Sequence, residues 1–315
     1  MPIDGLLLVD KTPGCTSHDV VQRVRRCLGQ KRVGHCGTLD PDATGLLLLP
    51  VGQATRLSRF LMHAPKIYEG TIRLGIATDT YDAAGKVTAE SRIDGVDEPA
   101  IDRAMERFVG TFEQRLPAFS ARKVNGVKLY EMARRGEEVP EAVKQVTVAE
   151  FVRTGPLAEA RFPFRLSCSS GTYARSLAHD LGAALGCGAH LAALRRASVG
   201  PFRVEDALTL DRLEALRAAG ADLDASWLPL GGIPLPFPTW SVDPQQQQRL
   251  RHGQTVLTRE LEVAAGDWVR LTTRRGDLVA IGSVIERIGD GPIAVVQPRI
   301  VFTAPTAVVG FSSDI

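Results

Sequence analysis

The residues best suited to chemistry stand together in one stretch, Gly34-His35-Cys36-Gly37-Thr38-Leu39-Asp40-Pro41-Asp42-Ala43-Thr44-Gly45. A carboxylate can serve as nucleophile or general base, and a histidine can move a proton or probe a bound substrate. Cys36 beside His35 suggests thiol catalysis, but adjacent side chains on an extended loop point apart and no third orienting group is evident. The glycines and Pro41 mark a loop of defined shape. The apolar run Leu46 to Leu49 then reads as a buried strand that holds it still. On this stretch alone a structural turn with solvated acids remains open, and Asp40 and Asp42 compete for any catalytic role.

Several elements must surround that loop. Gly5 to Val9 reads as a buried strand closed by the turn Thr12-Pro13-Gly14. Thr16 or Ser17 can cap a helix that carries Val20, Val21, Val24 and Leu28 on one face and stops at Gly29. A short helix is expected near Ala54 to Met62, and an alternating strand from Lys66 to Ala77. Pro99 to Val109 reads as a helix, and Val146 to Thr154 and Ala160 to Cys168 as strands. Ser169-Ser170-Gly171-Thr172-Tyr173 then opens a helix from Ala174 to Leu185. Arg175 falls in its first turn, where the helix dipole prefers an anion, so it is expected to be held for a partner. Leu191 to Val199 reads as a strand or extended segment, and Asp211 to Trp227 as a helix with a linker. Pro234, Pro236 and Pro238 mark a boundary, after which short apolar runs predict a small β-rich unit.

Composition narrows the class. With 315 residues and 44% hydrophobic content, the chain suits a globular protein with a sizeable core. No apolar run approaches the roughly 18 residues that span a bilayer. The start Met1-Pro2-Ile3-Asp4 lacks a basic region, so no signal peptide is expected. Five scattered cysteines without a C-x-x-C pair point away from a disulfide framework or zinc site and towards a reducing cytoplasm. The net charge of +2 is unevenly spread. Arg161 to Arg203 holds six arginines against one acid, and Arg115 to Gln145 seven basic residues against four acids. From Ser241 onwards eight basic and eight acidic residues balance. Clustered positive charge of this kind suits a polyanion, with a solvated basic surface as the alternative.

Six blocks of the chain, in order, resemble the bacterial TruB family of tRNA pseudouridine-55 synthases. They are Asp10-Lys11-Thr12-Pro13-Gly14 with Ser17, the Gly34 to Gly45 loop, Lys66-Ile67-Tyr68, Thr78-Asp79-Thr80 with Asp82 and Gly85, Leu116 to Tyr130, and Gly171-Thr172-Tyr173-Ala174-Arg175. The resemblance implies an α+β pseudouridine-synthase fold with a mixed, largely antiparallel central sheet. It implies a catalytic domain over residues 1–238 with an RNA-binding insert at about 113–145. Residues 239–315 resemble, more weakly, a small PUA-like domain. It further implies isomerisation of uridine-55 in the T-loop of tRNA, with base flipping and no metal or organic cofactor. Asp40 matches the essential aspartate, Arg175 the arginine that pairs with it, and Tyr68 the tyrosine that stacks on the base. His35 matches a histidine that helps displace the base, and Tyr173, Lys11 and Asp82 match further active-site positions. Arg122, Lys123, Lys128, Arg195 and Arg196 are the expected phosphate contacts. The implied partner is the tRNA T-arm, with no membrane, no obligate protein partner and a monomeric state.

The chemistry fits the residue types. Detaching a base from ribose builds positive charge on the sugar or needs a nucleophile to relieve it. A carboxylate meets that need when ionised, and a neighbouring arginine favours the ionised form and fixes its orientation. The detached base must turn within a pocket that excludes water, over an aromatic face. Three rivals stand beside this reading: a non-catalytic RNA-binding or RNA-folding module, an RNA-guided relative acting on ribosomal RNA, and a thiol or metal hydrolase. Cysteine and histidine spacing disfavours the last.

Overall fold

The structure is a computed structural model that describes residues 3–117, 123–124, 127–128, 132, 135, 137, 140, 142–259, 262–289 and 293–303. β1 (Gly5–Lys11) is a continuous apolar run, and it pairs antiparallel with β2 (Thr44–Val51). Between them lies α1 (Ser17–Leu28), whose apolar stripe Val20, Val21 and Val24 is buried. Thr16 caps α1 in a reciprocal box with Asp19, and Gly29 ends it in the left-handed conformation. A 3-10 turn leads into α2 (Ser58–Met62), then β3 (Lys66–Leu74) and the small hairpin of β4 (Ile76–Thr78) and β5 (Val87–Glu90). α3 (Glu98–Glu106) and β6 (Gly110–Arg115) follow. Two short strands, β7 (Lys123–Val124) and β8 (Val127–Lys128), pair antiparallel before β9 (Val143–Arg153) and β10 (Arg161–Cys168). α4 (Ala174–Ala184), β11 (Ala189–Val199), β12 (Phe202–Arg203), α5 (Leu210–Ala218) and β13 (Trp227–Pro229) complete the first unit.

Nine strands make one sheet in the order β13-β1-β2-β11-β3-β10-β9-β6, with β12 beside β11. Its neighbours run antiparallel except where β2 meets β11, so the sheet is mixed and largely antiparallel. The parallel junction is short: Arg195 lies opposite Thr44 and Arg196 opposite Gly45. Close approach there requires glycine. Gly45 has φ +100°, and a Cβ on it would stand 2.4 Å from the Arg196 carbonyl oxygen. The Gly34–Ala43 loop enters the sheet at this junction.

The second unit comprises β14 (Thr239–Ser241), α6 (Pro244–Arg251), β15 (Val256–Thr258), β16 (Trp268–Thr272), β17 (Leu278–Ile288) and β18 (Ile293–Val301). Its strands form a five-stranded sheet in the order β14-β16-β17-β18-β15. The units share apolar packing. Leu278, Ile281, Ile300 and Phe302 join Leu6, Leu8, Leu46 and Leu48 in one buried cluster, with Phe60 edge-on to Phe237 and Trp268 at its border. Among the described residues no helix is long and apolar enough to cross a membrane.

Candidate active site

Asp40 is mounted by groups that hold its backbone from three sides. Ser17 Oγ accepts from the Leu39 N–H at 2.9 Å and lies 3.2 Å from the Leu39 carbonyl, to which it can donate. The two capping residues considered for α1 therefore divide the work, Thr16 capping the helix and Ser17 holding the loop. Gly14 N donates to the Pro41 carbonyl at 3.1 Å, and Ala43 N to the Asp40 carbonyl at 3.1 Å.

Two buried cations complete the mount. Lys11 is fully buried, and its Nζ donates to the carbonyls of Thr12, Pro41 and Ala43 at 3.0, 2.7 and 2.7 Å. Burial pulls the Lys11 pKa down, against the charges of Cys15, Asp42 and Asp40. Arg196 is 1% exposed and donates to the carbonyls of Leu46, Gly37 and Thr38 at 2.7, 3.1 and 3.4 Å. Both were expected to face substrate or RNA. Their burial corrects that expectation, because a guanidinium or ammonium sealed on backbone carbonyls cannot also reach a phosphate.

The Asp40 side chain meets Arg175 across the cleft. Nε donates to Oδ2 at 2.9 Å and Nη2 to Oδ1 at 3.2 Å, a bidentate contact. Arg175 is 5% exposed, whereas the Asp40 carboxylate keeps 43% of its exposure and stays open to a ligand. The third guanidinium nitrogen, Nη1, donates to the Thr80 carbonyl at 2.9 Å. Asp82 places Oδ2 3.6 Å from Arg175 Nε and accepts at Oδ1 from Thr80 Oγ1 and Ala84 N. One arginine thus stands between two carboxylates. Asp42 is exposed at the rim and has no ion-pair partner among the described residues.

These groups line a cleft of about 380 Å³ with Thr16, Thr38, Asp42, Ala83 and the Leu191–Leu194 segment of β11. That volume lies within the range of small-ligand sites. Asp40, Asp82 and Arg175 converge there; the other expected site residues do not line it. Tyr68 is 8% exposed and packs below the loop in the cluster that holds Leu39 and Ala43. Burial raises its phenol pKa, with the charge of Arg196 opposing. His35 is half-buried, and its Nδ1 has no hydrogen-bond partner among the described residues. Burial and the Arg196 charge pull its pKa down, so the ring is neutral at neutral pH. Tyr173 stands at the N-cap of α4, where Gln114 accepts from its N–H at 2.8 Å and donates to its carbonyl at 3.0 Å.

Most of the arginines counted along Arg161 to Arg203 are engaged by acids or main chain of the same molecule. Arg195 forms a bidentate pair with Asp10 at 3.0 and 2.7 Å, and Arg165 lies 3.6 and 3.5 Å from Glu69 and Glu150. With Arg175 and Arg196 also engaged, Arg161 and Arg203 are exposed, and the paired Arg195 and Arg165 side chains keep 42% and 37% of their exposure. Arg122 lies outside the described residues, as does most of the Leu116 to Tyr130 block; Lys123 and Lys128 pair as strand positions. Among the described residues no group of three or more histidines, cysteines or acids could hold a metal ion.

Lys66, which opens β3 two residues before Tyr68, offers a pH test of this buried layer. Its Nζ donates to the carbonyls of Met62 and Ala64 at 2.8 and 2.6 Å, and burial, aided by Arg196, pulls its pKa from 10.5 to about 8. The unfolded chain therefore binds the proton more tightly, and stability rises with pH between the two values. The stability of wild type relative to Lys66→Met is expected to grow across that window, by at most ~1.4 kcal/mol per pH unit. Urea denaturation of both proteins below pH 8 and near pH 10 measures this, and a pH-independent difference would refute it.

Sequence comparison places the chain in a family. Residues 25–174 match the family profile described as TruB family pseudouridylate synthase (N terminal domain). Residues 175–231 match the tRNA pseudouridylate synthase B C-terminal domain. The chain is 44% identical over 287 residues to tRNA pseudouridine synthase B of Solibacter usitatus, covering 90% of this chain and 96% of that protein. It is 52% identical over 214 residues to the protein of the same name from Opitutus terrae, covering 68% and 88%. Among solved structures, an H/ACA RNP bound to a substrate RNA containing 2'-deoxyuridine superposes with a TM-score of 0.73 at 25% identity, covering 95% of this chain and 85% of that one. Similarity at that level along nine-tenths of its length, on a fold shared with an RNA-bound structure, shows that the chain belongs to the TruB family of pseudouridylate synthases.

Proposed function

We propose that this chain converts uridine-55 in the T-loop of tRNA to pseudouridine, acting alone as a monomer. The observation that carries the reading is the Asp40 carboxylate, half-exposed in a cleft of about 380 Å³ and oriented bidentately by a buried arginine. The isomerisation breaks the bond from N1 to the ribose and forms one from C5 to the same carbon. A proton leaves C5 and another is held by N1, so atoms balance without a redox partner. Asp40 is the group that engages the reacting nucleoside, and Arg175 and Asp82 hold it in register. The uridine is flipped from its stack to reach the cleft, at a cost of a few kcal/mol. The neutral His35 ring is suited to occupy the vacated space. Tyr68, packed with Leu39 and Ala43, braces the loop that carries Asp40 from below.

The identities support the tRNA-acting reading. Relatives named tRNA pseudouridine synthase B share 44% and 52% identity with this chain, against 25% for the H/ACA RNP structure. The purified chain, given an unmodified tRNA transcript and no guide RNA, is expected to place pseudouridine at position 55 alone. Mapping that modification along the transcript tests the proposal. No product without a guide, or product at another uridine, would overturn it.

A further inference from the structure

Tyr81 has φ +64°, in the left-handed region. A residue with a Cβ costs roughly 1–2 kcal/mol more there than in an ordinary conformation, and glycine would occupy the position without that cost. Such a conformation persists where its surroundings over-determine it. Here they do. Tyr81 N donates to the Thr78 carbonyl at 3.3 Å, and Leu191 N donates to the Tyr81 carbonyl at 2.9 Å. The Tyr81 ring lies face to face with His179, centroids 3.9 Å apart and planes at 18°. Burial raises the tyrosine pKa and lowers that of the histidine, so this is a stack of neutral rings near neutral pH.

The position of the stack gives it meaning. His179 follows Arg175 by four residues on α4, one turn along the same face. Tyr81 is flanked by Thr80 and Asp82, the two residues of that segment that meet Arg175. The segment is therefore joined to α4 twice, through Arg175 and through the rings. We propose that the Tyr81–His179 stack is a positioning device, holding the Thr80–Asp82 segment against α4 so that the Arg175 guanidinium stays aimed at Asp40. Neither ring lines the cleft, so both act through Arg175 rather than on substrate. The proposal rests on Asp40 being the reacting carboxylate.

The test compares Tyr81→Gly, His179→Ala and Tyr81→Phe. Misplacement of a catalytic group by about an ångström can cost up to ~100-fold in rate, so a tenfold loss is a conservative expectation. Tyr81→Gly and His179→Ala are expected to lower kcat on a tRNA transcript about tenfold with KM within about twofold, and Tyr81→Phe, which keeps the ring, to recover most of the rate. Nuclear magnetic resonance of protein labelled with nitrogen-15 arginine reads the same device without turnover. The Arg175 Nε–H signal, assigned through Arg175→Lys, should be protected from exchange in wild type and Tyr81→Phe and lose protection in the other two. Unchanged kcat in either ring-removing variant, or a Phe variant as impaired as the Gly variant, would overturn the proposal. Should wild type make no pseudouridine, the functional reading fails, while the resonance still decides the stack.

Discussion

Asp40→Asn is expected to abolish pseudouridine formation while leaving tRNA affinity within a few-fold of wild type. The amide matches the carboxylate in size but can neither attack carbon nor take a proton, and loss of a positioned acid–base group alone costs roughly 10²–10⁴-fold in rate. Folding should survive. The Asp40 side chain is 43% exposed, and Arg175 keeps the Thr80 carbonyl at 2.9 Å and the Asp82 carboxylate at 3.6 Å. A stability loss of about 1 kcal/mol is expected, since a half-exposed pair contributes little. Single-turnover conversion and filter binding on one tRNA transcript separate the two effects. Conversion within tenfold of wild type would remove Asp40 from the reaction, and Asp42→Asn then becomes the variant to examine.

Much of the scaffold could be read from the chain because its elements follow simple periods. The Val20, Val21 and Val24 stripe with Gly29 after it could hardly be anything but an amphipathic helix, and α1 ends there. The meeting of Asp40 with Arg175 has no such local signature. The two are 135 residues apart and are brought together by the parallel contact of β2 with β11, which no period encodes. Resemblance to a family supplied that pair.

Charge was the least reliable guide. Lys11 and Arg196 look like surface cations in sequence, yet their partners are backbone carbonyls that every residue possesses. Nothing in residue types reveals that a cation will be satisfied by main chain. The same holds for Thr80, whose carbonyl and not its identity meets Arg175, and for Gln114, which pairs with the backbone of Tyr173. Tyr81 and His179 leave no trace either, since the left-handed turn that brings the rings face to face would ordinarily be marked by glycine.

Arg175 gives the second large effect, and two substitutions divide it into charge and shape. The guanidinium spans three acceptors at once: both Asp40 oxygens and the Thr80 carbonyl. Arg175→Lys keeps the charge but offers a single point donor on a flexible stem, so it can satisfy one side of that set and not the other. Its expected kcat is about 100-fold below wild type, the scale of a misplaced catalytic group, with stability nearly kept. Arg175→Met removes the charge as well. Asp40 and Asp82 then face each other across the cleft without a cation, and the Thr80 carbonyl loses its donor. Full loss of a buried partner costs about 3–5 kcal/mol, which the exposure of both carboxylates reduces to about 2 kcal/mol here. The rate should fall at least another tenfold below the Lys variant, because the carboxylate has lost both its orientation and its counter-charge. Measuring kcat and urea stability for both variants decides the matter. A Lys variant as active as wild type would show that charge alone suffices and that the bidentate geometry is incidental. A Met variant no less active than the Lys variant would show the reverse, that shape carries the whole effect.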